Sequence, residues 1–428
     1  MNIAIIGAGA AGLAAAYDVT RAGHRVTVFE GAPQVGGLAS GFKADHWEWT
    51  LEKFYHHWFE SDAHILGLVD ELGVRDQVLF RRPLTMMYHD GKFYQFDSIV
   101  SALLYPGLGW GVDKIRFGLV GLYLRFTKNW RTLEKVTVDT WMRRWAGNQA
   151  YRSMWEPLMV SKFGERYAKI VNMAWLWARL HCRTPRLGTF VGGFQAFMDV
   201  LAGRVRQAGG DIRLSSAVRE IRVDGGRVVL GTGTGHESFD RLLTTTSPRL
   251  FADITPQLPA SYRSEVNALI AMGAVVMVMS LTRQLTPNAY WYSLPKDAGF
   301  PFLALVEHTN YMAPEHYGGD HIIYCGDYLE PDHPYFDIDK DELLAIYRPA
   351  LTRFNPRFDD TWIRQTWLFR TRYAQPVPMV NHSQHVPDLQ TPLPGVWLAS
   401  MSQVYPWDRG TNFAVEIGRR AARRMLSE

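Results

Sequence analysis

Residues 2–30 read NIAIIGAGAAGLAAAYDVTRAGHRVTVFE, and this stretch decides the fold. Asn2–Ile6 is an apolar run of strand length, Gly7–Gly12 a glycine-rich turn, and Leu13–Ala22 has helical composition. Gly23-His24 then turns the chain into a second strand, Arg25–Glu30. Strand, turn, helix and strand make a βαβ unit, and the turn fits G-x-G-x-x-G. Gly7 permits the tight turn, Gly9 lets the backbone approach a pyrophosphate, and Gly12 lets the helix lie close to the sheet. The helix start, Ala11 included, offers unpaired N–H groups and the positive end of the helix dipole to phosphate. Glu30 stands 18 residues after Gly12, where a carboxylate can accept both ribose hydroxyls of an adenosine and repel a 2′-phosphate.

The same turn would serve NAD or FAD, and two further features point to FAD. Gly36-Gly37 follows Glu30 after the spacer GAPQV and provides a second close backbone approach to the cofactor. The tail GVWLASMSQVYPWDRGTNFAVEIGRRAARRM, residues 395–425, places a strand, a loop, and then Gly410-Thr411-Asn412-Phe413 opening a helix. Such a helix start directs N–H groups at the pyrimidine edge of a flavin and stabilises the charge of its reduced form.

GAGAAG, the GAPQVGGLAS that follows Glu30, and the terminal DRGTNFAVEIG together resemble the amine oxidase superfamily of flavoproteins, which includes protoporphyrinogen oxidases and phytoene-type desaturases. The resemblance implies that Gly7, Gly9, Gly12, Glu30, Gly36 and Gly37 contact FAD. It also implies that the Val218 backbone, in SSAVREI, meets the adenine, and that Asp408 and Gly410 to Phe413 are the terminal contacts. The arginine that usually follows the glycine pair is replaced by Leu38. PLTMMYHDGKFYQF (83–96), the Gly192-Gly193-Phe194 turn and LVEHTNY (305–311) also resemble UDP-galactopyranose mutases. Ala304 stands where those enzymes carry a diphosphate-binding arginine.

At 428 residues the chain is too long for one simple core. The expected fold is α/β: a discontinuous Rossmann-type FAD-binding domain (1–80, 186–247 and 388–428) with an inserted α+β substrate domain (81–185 and 248–387). A net charge of +4 with 46 basic and 42 acidic residues does not describe a nucleic-acid binder. Only Cys182 and Cys325 occur, without metal-ligand spacing, which argues against structural zinc and favours a reducing compartment, the cytoplasm. The N-terminus shows no secretory pattern. The longest apolar run, ALIAMGAVVMVMSL (268–281), is fourteen residues, against about 20 for a membrane span.

For chemistry beyond the cofactor, Lys53-Phe54-Tyr55-His56-His57 is the most suggestive stretch. Lys53, His56 or His57 could polarise a flavin, position a substrate or shuttle a proton. His308 and the pair Arg372-Tyr373 are candidates for the substrate side. Residues 99–131 mix Leu, Trp and Tyr with Lys114, Arg116, Arg125, Lys128 and Arg131, which suits either a helix in a membrane interface or a cap over the site. The reading is an FAD-dependent oxidase or desaturase acting on a large apolar or cyclic small molecule, with oxygen or a quinone as electron acceptor. The alternatives are a flavin-dependent sugar-nucleotide mutase and a non-catalytic flavin-binding protein.

Overall fold

The computed structural model describes residues 1–428, except for the side chain of Ile99. Strand β1 (Asn2–Ile6), helix α1 (Ala10–Arg21) and strand β2 (Arg25–Phe29) form the βαβ unit. They sit in a five-stranded parallel sheet whose order across the sheet is Asp211–Arg213, β2, β1, Arg241–Thr244, Val396–Leu398. A parallel sheet covered on both faces needs strands that are apolar throughout, and Ile3 to Ile6 are all buried.

Alternation along each strand feeds two different cores. Ile3, Ile5, Val28, Leu243 and Trp397 pack into one with α1, helix α2 (Ala63–Leu72), the helix Phe194–Gln207 and the closing helix Thr411–Ser427. Ala4, Ile6, Phe29, Leu242 and Leu398 pack into the other. That second face is covered by a three-stranded antiparallel sheet over 220–239 and by the helices Pro248–Ile254 and Ala260–Asn267. Those two helices, which the sequence groups with the inserted part, thus share their core with the nucleotide sheet.

The inserted part is built on a seven-stranded sheet. Its order is Ile363–Pro376, Ala271–Leu281, His321–Leu329, Ala304–Glu307, Ala289–Ser293, Leu84–His89, Lys92–Gln95. Every pairing is antiparallel except that of Ala289–Ser293 with Leu84–His89. The fourteen-residue apolar run supplies the strand Ala271–Leu281. Its odd positions Val275, Met277, Met279 and Leu281 enter a core closed by the helix Lys340–Leu351. Its even positions Val276 and Val278 face the nucleotide-binding part beside Trp47, Trp49, Tyr290, Tyr311 and Tyr324.

Ile363–Pro376 is a fourteen-residue strand without a plain apolar alternation in the sequence. Arg364, Arg370 and Arg372 interrupt its apolar alternation, because much of it is only half-buried. A helical layer over residues 99–182 completes the insert. Within its helix Glu156–Ala168, Gly164 takes a left-handed φ of 67° and kinks the chain. No helix among the described residues is long and apolar enough to cross a membrane.

Candidate active site

Backbone geometry makes the nucleotide cradle. Gly7 has a φ of 102°, and a Cβ on Gly12 would land on the Gly7 carbonyl oxygen. Only glycine therefore allows α1 to start this close to β1. Gly9 is the N-cap of α1, makes no side-chain cap, and no acidic residue stands in the first turn. The opening N–H groups of the helix are thus left to a ligand anion. Gly36 (φ 116°) and Gly37 (φ 56°) come up against this turn: Gly36 N–H donates to the Ala8 carbonyl at 2.8 Å, and a Cβ on Gly37 would lie 3.2 Å from Gly9 Cα.

Glu30 stands at the end of β2, where its two carboxylate oxygens accept Ala8 N–H at 2.7 Å and Ala32 N–H at 2.9 Å. A carboxylate has about four lone-pair sites, so both oxygens can still accept ribose hydroxyls. Ser216 N–H donates to the Glu30 carbonyl at 2.8 Å and Ser215 N–H to the Ala32 carbonyl at 2.9 Å. These bonds lay the segment leading to Val218 alongside the end of β2 and the Glu30 carboxylate. The donor set fits FAD: glycine backbone that would meet the phosphates, a carboxylate that would take the ribose, and the loop backbone at Val218 that would meet the adenine.

The far end of the cradle is set by the closing helix. A Cβ on Gly418 would strike the Ala11 carbonyl oxygen, so glycine is what lets this helix cross the start of α1. Arg419 bonds Asp18 of α1 at 2.9 Å and Glu71 of α2 at 2.7 Å. At the helix start, Thr411 Oγ1 accepts Trp58 Nε1–H at 2.9 Å, and Asn412 Oδ1 accepts the N–H groups of His64 and Ile65 at 2.9 and 3.0 Å. The Asn412 side chain therefore straps this helix to α2, and that of Thr411 straps it to Trp58. What Gly410 to Phe413 can offer a ligand is their backbone N–H groups. Phe413 stacks on Trp407 at 5.4 Å. Asp408 accepts Trp175 Nε1–H at 3.1 Å, Arg179 at 2.5 Å and Gln375 at 3.3 Å; against the upward pull of burial, the charges of Arg179, Arg409 and Lys162 hold its carboxyl below the usual range.

Lys53 to His57 run between this helix start and the inserted sheet. Lys53 N–H donates to the Ser40 carbonyl at 3.1 Å, which ties the stretch to the loop after Gly37. Burial lowers the Lys53 ammonium from its usual value. Tyr55 lies on the sheet over Gly326, whose absent Cβ would be 2.9 Å from the ring, and meets Trp291 and Tyr324 edge-on at 5.0 and 5.9 Å. His57 bonds the Tyr290 hydroxyl and meets Trp291 and Tyr311 edge-on.

Lys53 to His57 are all half-buried, so this aromatic wall borders open space although it lies between the two parts of the chain. Burial pushes His56 down to about 4 and His57 to about 3, with His56, His308 and Arg183 lowering His57 further. Both imidazoles are neutral at pH 7. His56 Nδ1 lies 2.6 Å from the Phe54 carbonyl, which can only accept, so Nδ1 carries the hydrogen and Nε2 the lone pair. Proton shuttling near neutral pH does not suit groups titrating this low; positioning and hydrogen bonding do.

The remaining candidates part company. His308 is buried behind the wall, bonded to the Tyr317 hydroxyl at 2.7 Å and lowered by burial to about 3. Tyr373 reaches the loop before the closing helix, where its hydroxyl bonds Ser402 Oγ at 2.8 Å. Arg372 points the other way, to Asp337 at 2.6 Å and the Pro331 carbonyl on the outer surface.

Glu52 is a buried group that sequence reading missed. Its carboxyl accepts Phe194 N–H at 2.8 Å at the start of the helix Phe194–Gln207, and desolvation raises it to about 7. Its one signal was adjacency to Lys53, since the helix it caps starts 142 residues later. No cluster of metal-ligating side chains occurs among the described residues.

The fold is shared with solved structures across the whole chain. A protein of Exiguobacterium sp. 255-15 assigned as a protoporphyrinogen oxidase superposes with a TM-score of 0.79 at 16% identity, covering 100% of this chain and 99% of that one. Cyclohexylamine oxidase of Brevibacterium oxydans IH-35A superposes at 0.75 and 15%, covering 100% and 98%. By sequence, the "Probable zeta-carotene desaturase" of Synechococcus elongatus is 30% identical over 179 residues, 37% of each chain. The 15-cis-phytoene desaturase of the same organism is 29% identical over 155 residues, 33% of this chain and 32% of the relative. The matched region thus spans about a third of the length of these two curated relatives. The model of the family described as flavin containing amine oxidoreductase matches residues 10–426. With the glycine cradle, the Glu30 carboxylate and the closing-helix start all in place, the chain belongs to the flavin-containing amine oxidoreductases, whose cofactor is FAD.

Proposed function

We propose that this protein is an FAD-dependent oxidase or desaturase that removes hydride from a C–H or N–H bond of a large, mainly apolar or cyclic substrate. The observation that carries the reading is the half-buried aromatic face of Tyr55, His57 and Trp291 between the glycine cradle and the inserted sheet, backed by the buried Tyr290 and Tyr324. When bound, FAD supplies the hydride acceptor, N5, and returns two electrons to oxygen or a quinone.

The chain's own contribution is placement and dryness. Gly7 to Gly12, Glu30 and Val218 hold the nucleotide half, and the N–H groups from Gly410 to Phe413 meet developing negative charge at the pyrimidine edge. His56 and His57, kept uncharged, place hydrogen bonds at the wall without adding a cation that would draw water in. Lys53 adds one partly desolvated ammonium at the near edge.

The substrate's route is the second element of the proposal. Eleven large apolar side chains between Val100 and Trp145 are exposed, among them Leu104 (75%), Trp110 (85%), Val112 (70%) and Phe126 (73%). They lie on and around the helix Val112–Phe126, and Lys114, Arg116, Arg125 and Lys128 flank them. Scattered exposed apolar residues are ordinary, but a contiguous set with a basic rim marks a contact surface. An anionic membrane interface suits it and would deliver an apolar substrate.

Anaerobic mixing of the yellow holoenzyme with cyclic amines, polyenes and porphyrinogens tests the reading. Flavin bleaching by one class, reversed by oxygen or a quinone, is the expected result. Conversion of a UDP-sugar only after dithionite reduction would replace the proposal by redox-neutral mutase chemistry. Neither reduction nor isomerisation would leave a non-catalytic flavin protein.

A further inference from the structure

Lys162, Arg179, Arg183 and Arg409 converge at the edge of the aromatic wall with one carboxylate among them. Asp408 is that carboxylate, and Trp175, Arg179 and Gln375 already donate to it. Arg409 donates through Nε to Gln375 at 3.0 Å and through Nη2 to the Tyr328 hydroxyl, both neutral partners.

Lys162 is 8% exposed and lies over the Tyr328 ring at 4.2 Å, with no hydrogen-bond acceptor among the described residues. Arg183, an exposed residue just past the helix Met173–Cys182, stands at the rim of the group, where burial and the charge of Arg179 lower its guanidinium to about 10. Its side chain also has no acceptor among the described residues. These four cations share one carboxylate, and burial with the charges of Arg179 and Arg409 lowers the Lys162 ammonium well below its ordinary value. A buried amine without an acceptor is costly to charge, and an anion reaching Lys162 past the exposed Arg183 would supply the missing partner.

The position of the cluster says which anion. Arg409 immediately precedes Gly410, and its charge acts on His56 and Tyr55; that of Arg183 acts on His57. The phosphates of FAD are met by the glycine cradle at the start of α1, the other end of the cofactor path. We infer that Lys162, Arg179, Arg183 and Arg409 form a subsite for an oxyanionic group, carboxylate or phosphate, carried at one end of the substrate. The inference rests on the proposed oxidoreductase reading of the same cavity and narrows it: the substrate is amphipathic and anionic, and cationic amines are repelled.

Calorimetric titration of the oxidised holoenzyme with decanoate, decyl phosphate, decylamine and decanol tests this. The two anions are expected to bind and decylamine to be excluded, the tighter anion naming the group. Arg183→Met and Lys162→Met should weaken the anions at least tenfold and leave decanol unchanged, while Lys162→Arg restores binding. Arg183 is accessible, so its substitution leaves the packing intact, and a thermal melt verifies this.

Decylamine binding as tightly as decanoate, or anion affinity unchanged in Arg183→Met, would overturn the subsite. So would variants that shift the flavin potential without touching anion affinity, since the cluster would then serve the reduced flavin. Because the titration reads no turnover, anion binding without any substrate oxidation would sink the oxidoreductase reading alone. Oxidation of neutral substrates without anion binding would sink the subsite alone.

Discussion

The two halves of the site are made of different material. On the nucleotide side almost every contact is backbone: positive-φ glycines, a helix start without a cap, a strand edge, with Glu30 as the lone side chain in demand. On the side that faces the insert the sheet backbone is ordinary and the chemistry lies in side chains: Tyr55 and His57 against Tyr290 and Trp291 of the inserted sheet, with Lys162 and Arg183 beyond them. Backbone sites tolerate no added atoms but are indifferent to neighbouring side chains. Side-chain sites tolerate exchange of one member and lose a part of their function each time. Substitutions should therefore fail abruptly on the first side and by degrees on the second.

The sharpest test is Gly12→Val. With its Cβ on the Gly7 carbonyl, α1 cannot start where the cofactor needs it, and the purified protein should carry no flavin absorbance. A yellow Gly12→Val variant would break the comparison at its firmest point. Gly326→Val is the counterpart on the other side. Its side chain would displace the Tyr55 ring, 2.9 Å from where Cβ must go, so turnover should fall by about tenfold to a hundredfold, as for about 1 Å misplacements at reacting centres, with flavin retained.

Next in size is a dependence of stability on pH. The folded state raises Glu52 to about 7, above its ordinary 4.5, chiefly by desolvation. The unfolded carboxyl ionises first as pH rises, so its stabilising contribution is full below about 4.5 and is lost as pH climbs through 7. Glu52→Gln keeps an acceptor for Phe194 N–H and removes the charge. It should melt with the wild type at pH 4.5 and above it at pH 8.5, by an amount of the order of 3 kcal/mol at most. His56 and His57 act with the opposite sense. Their depressed values cost stability as pH falls below 6.5, so histidine-to-glutamine variants should gain on the acid side only.

Smallest in effect on the fold is Leu119→Ser/Leu122→Ser/Phe126→Ser, three exposed positions 61%, 57% and 73% open. Substitutions of this kind usually change stability by about 0.5 kcal/mol or less each. Flotation on anionic vesicles should nevertheless drop relative to wild type, and equal flotation would remove the membrane contact.

The same division explains what the sequence made legible. G-x-G-x-x-G, Glu30 in register, Gly36-Gly37 and the terminal glycine-led helix are readable because backbone geometry is written in glycine, and each glycine speaks for itself. Asp224-Gly225-Gly226 and Asp90-Gly91 are legible turns for the same reason, and each joins an antiparallel pair. Lys162 and Arg183 were unreadable. One sits in a helix after Pro157, the other just past a helix end, and only the kink at Gly164 and the folding of the helical layer bring them to Arg409. Arg372 misled because alternation along Ile363–Pro376 sends neighbours to opposite faces, Tyr373 inward to Ser402 and Arg372 outward to Asp337. Asn412 was placed at the right helix, but its amide was spent on α2.

The crossing at Gly418 has a further meaning for how the molecule is assembled. β1 pairs with Arg241–Thr244, and Asn2 N–H donates to Asp240, 238 residues along the chain; Val396–Leu398 adds the last strand later still. The sheet that holds the nucleotide is therefore closed by segments that bracket the whole insert, a topology with high loop-closure cost and slow expected folding. Until the closing helix crosses α1, the glycine turn lacks the support that fixes it. Cofactor capture then reports that the insert has already folded between its two anchors, so bound flavin is a mark of a fully assembled chain.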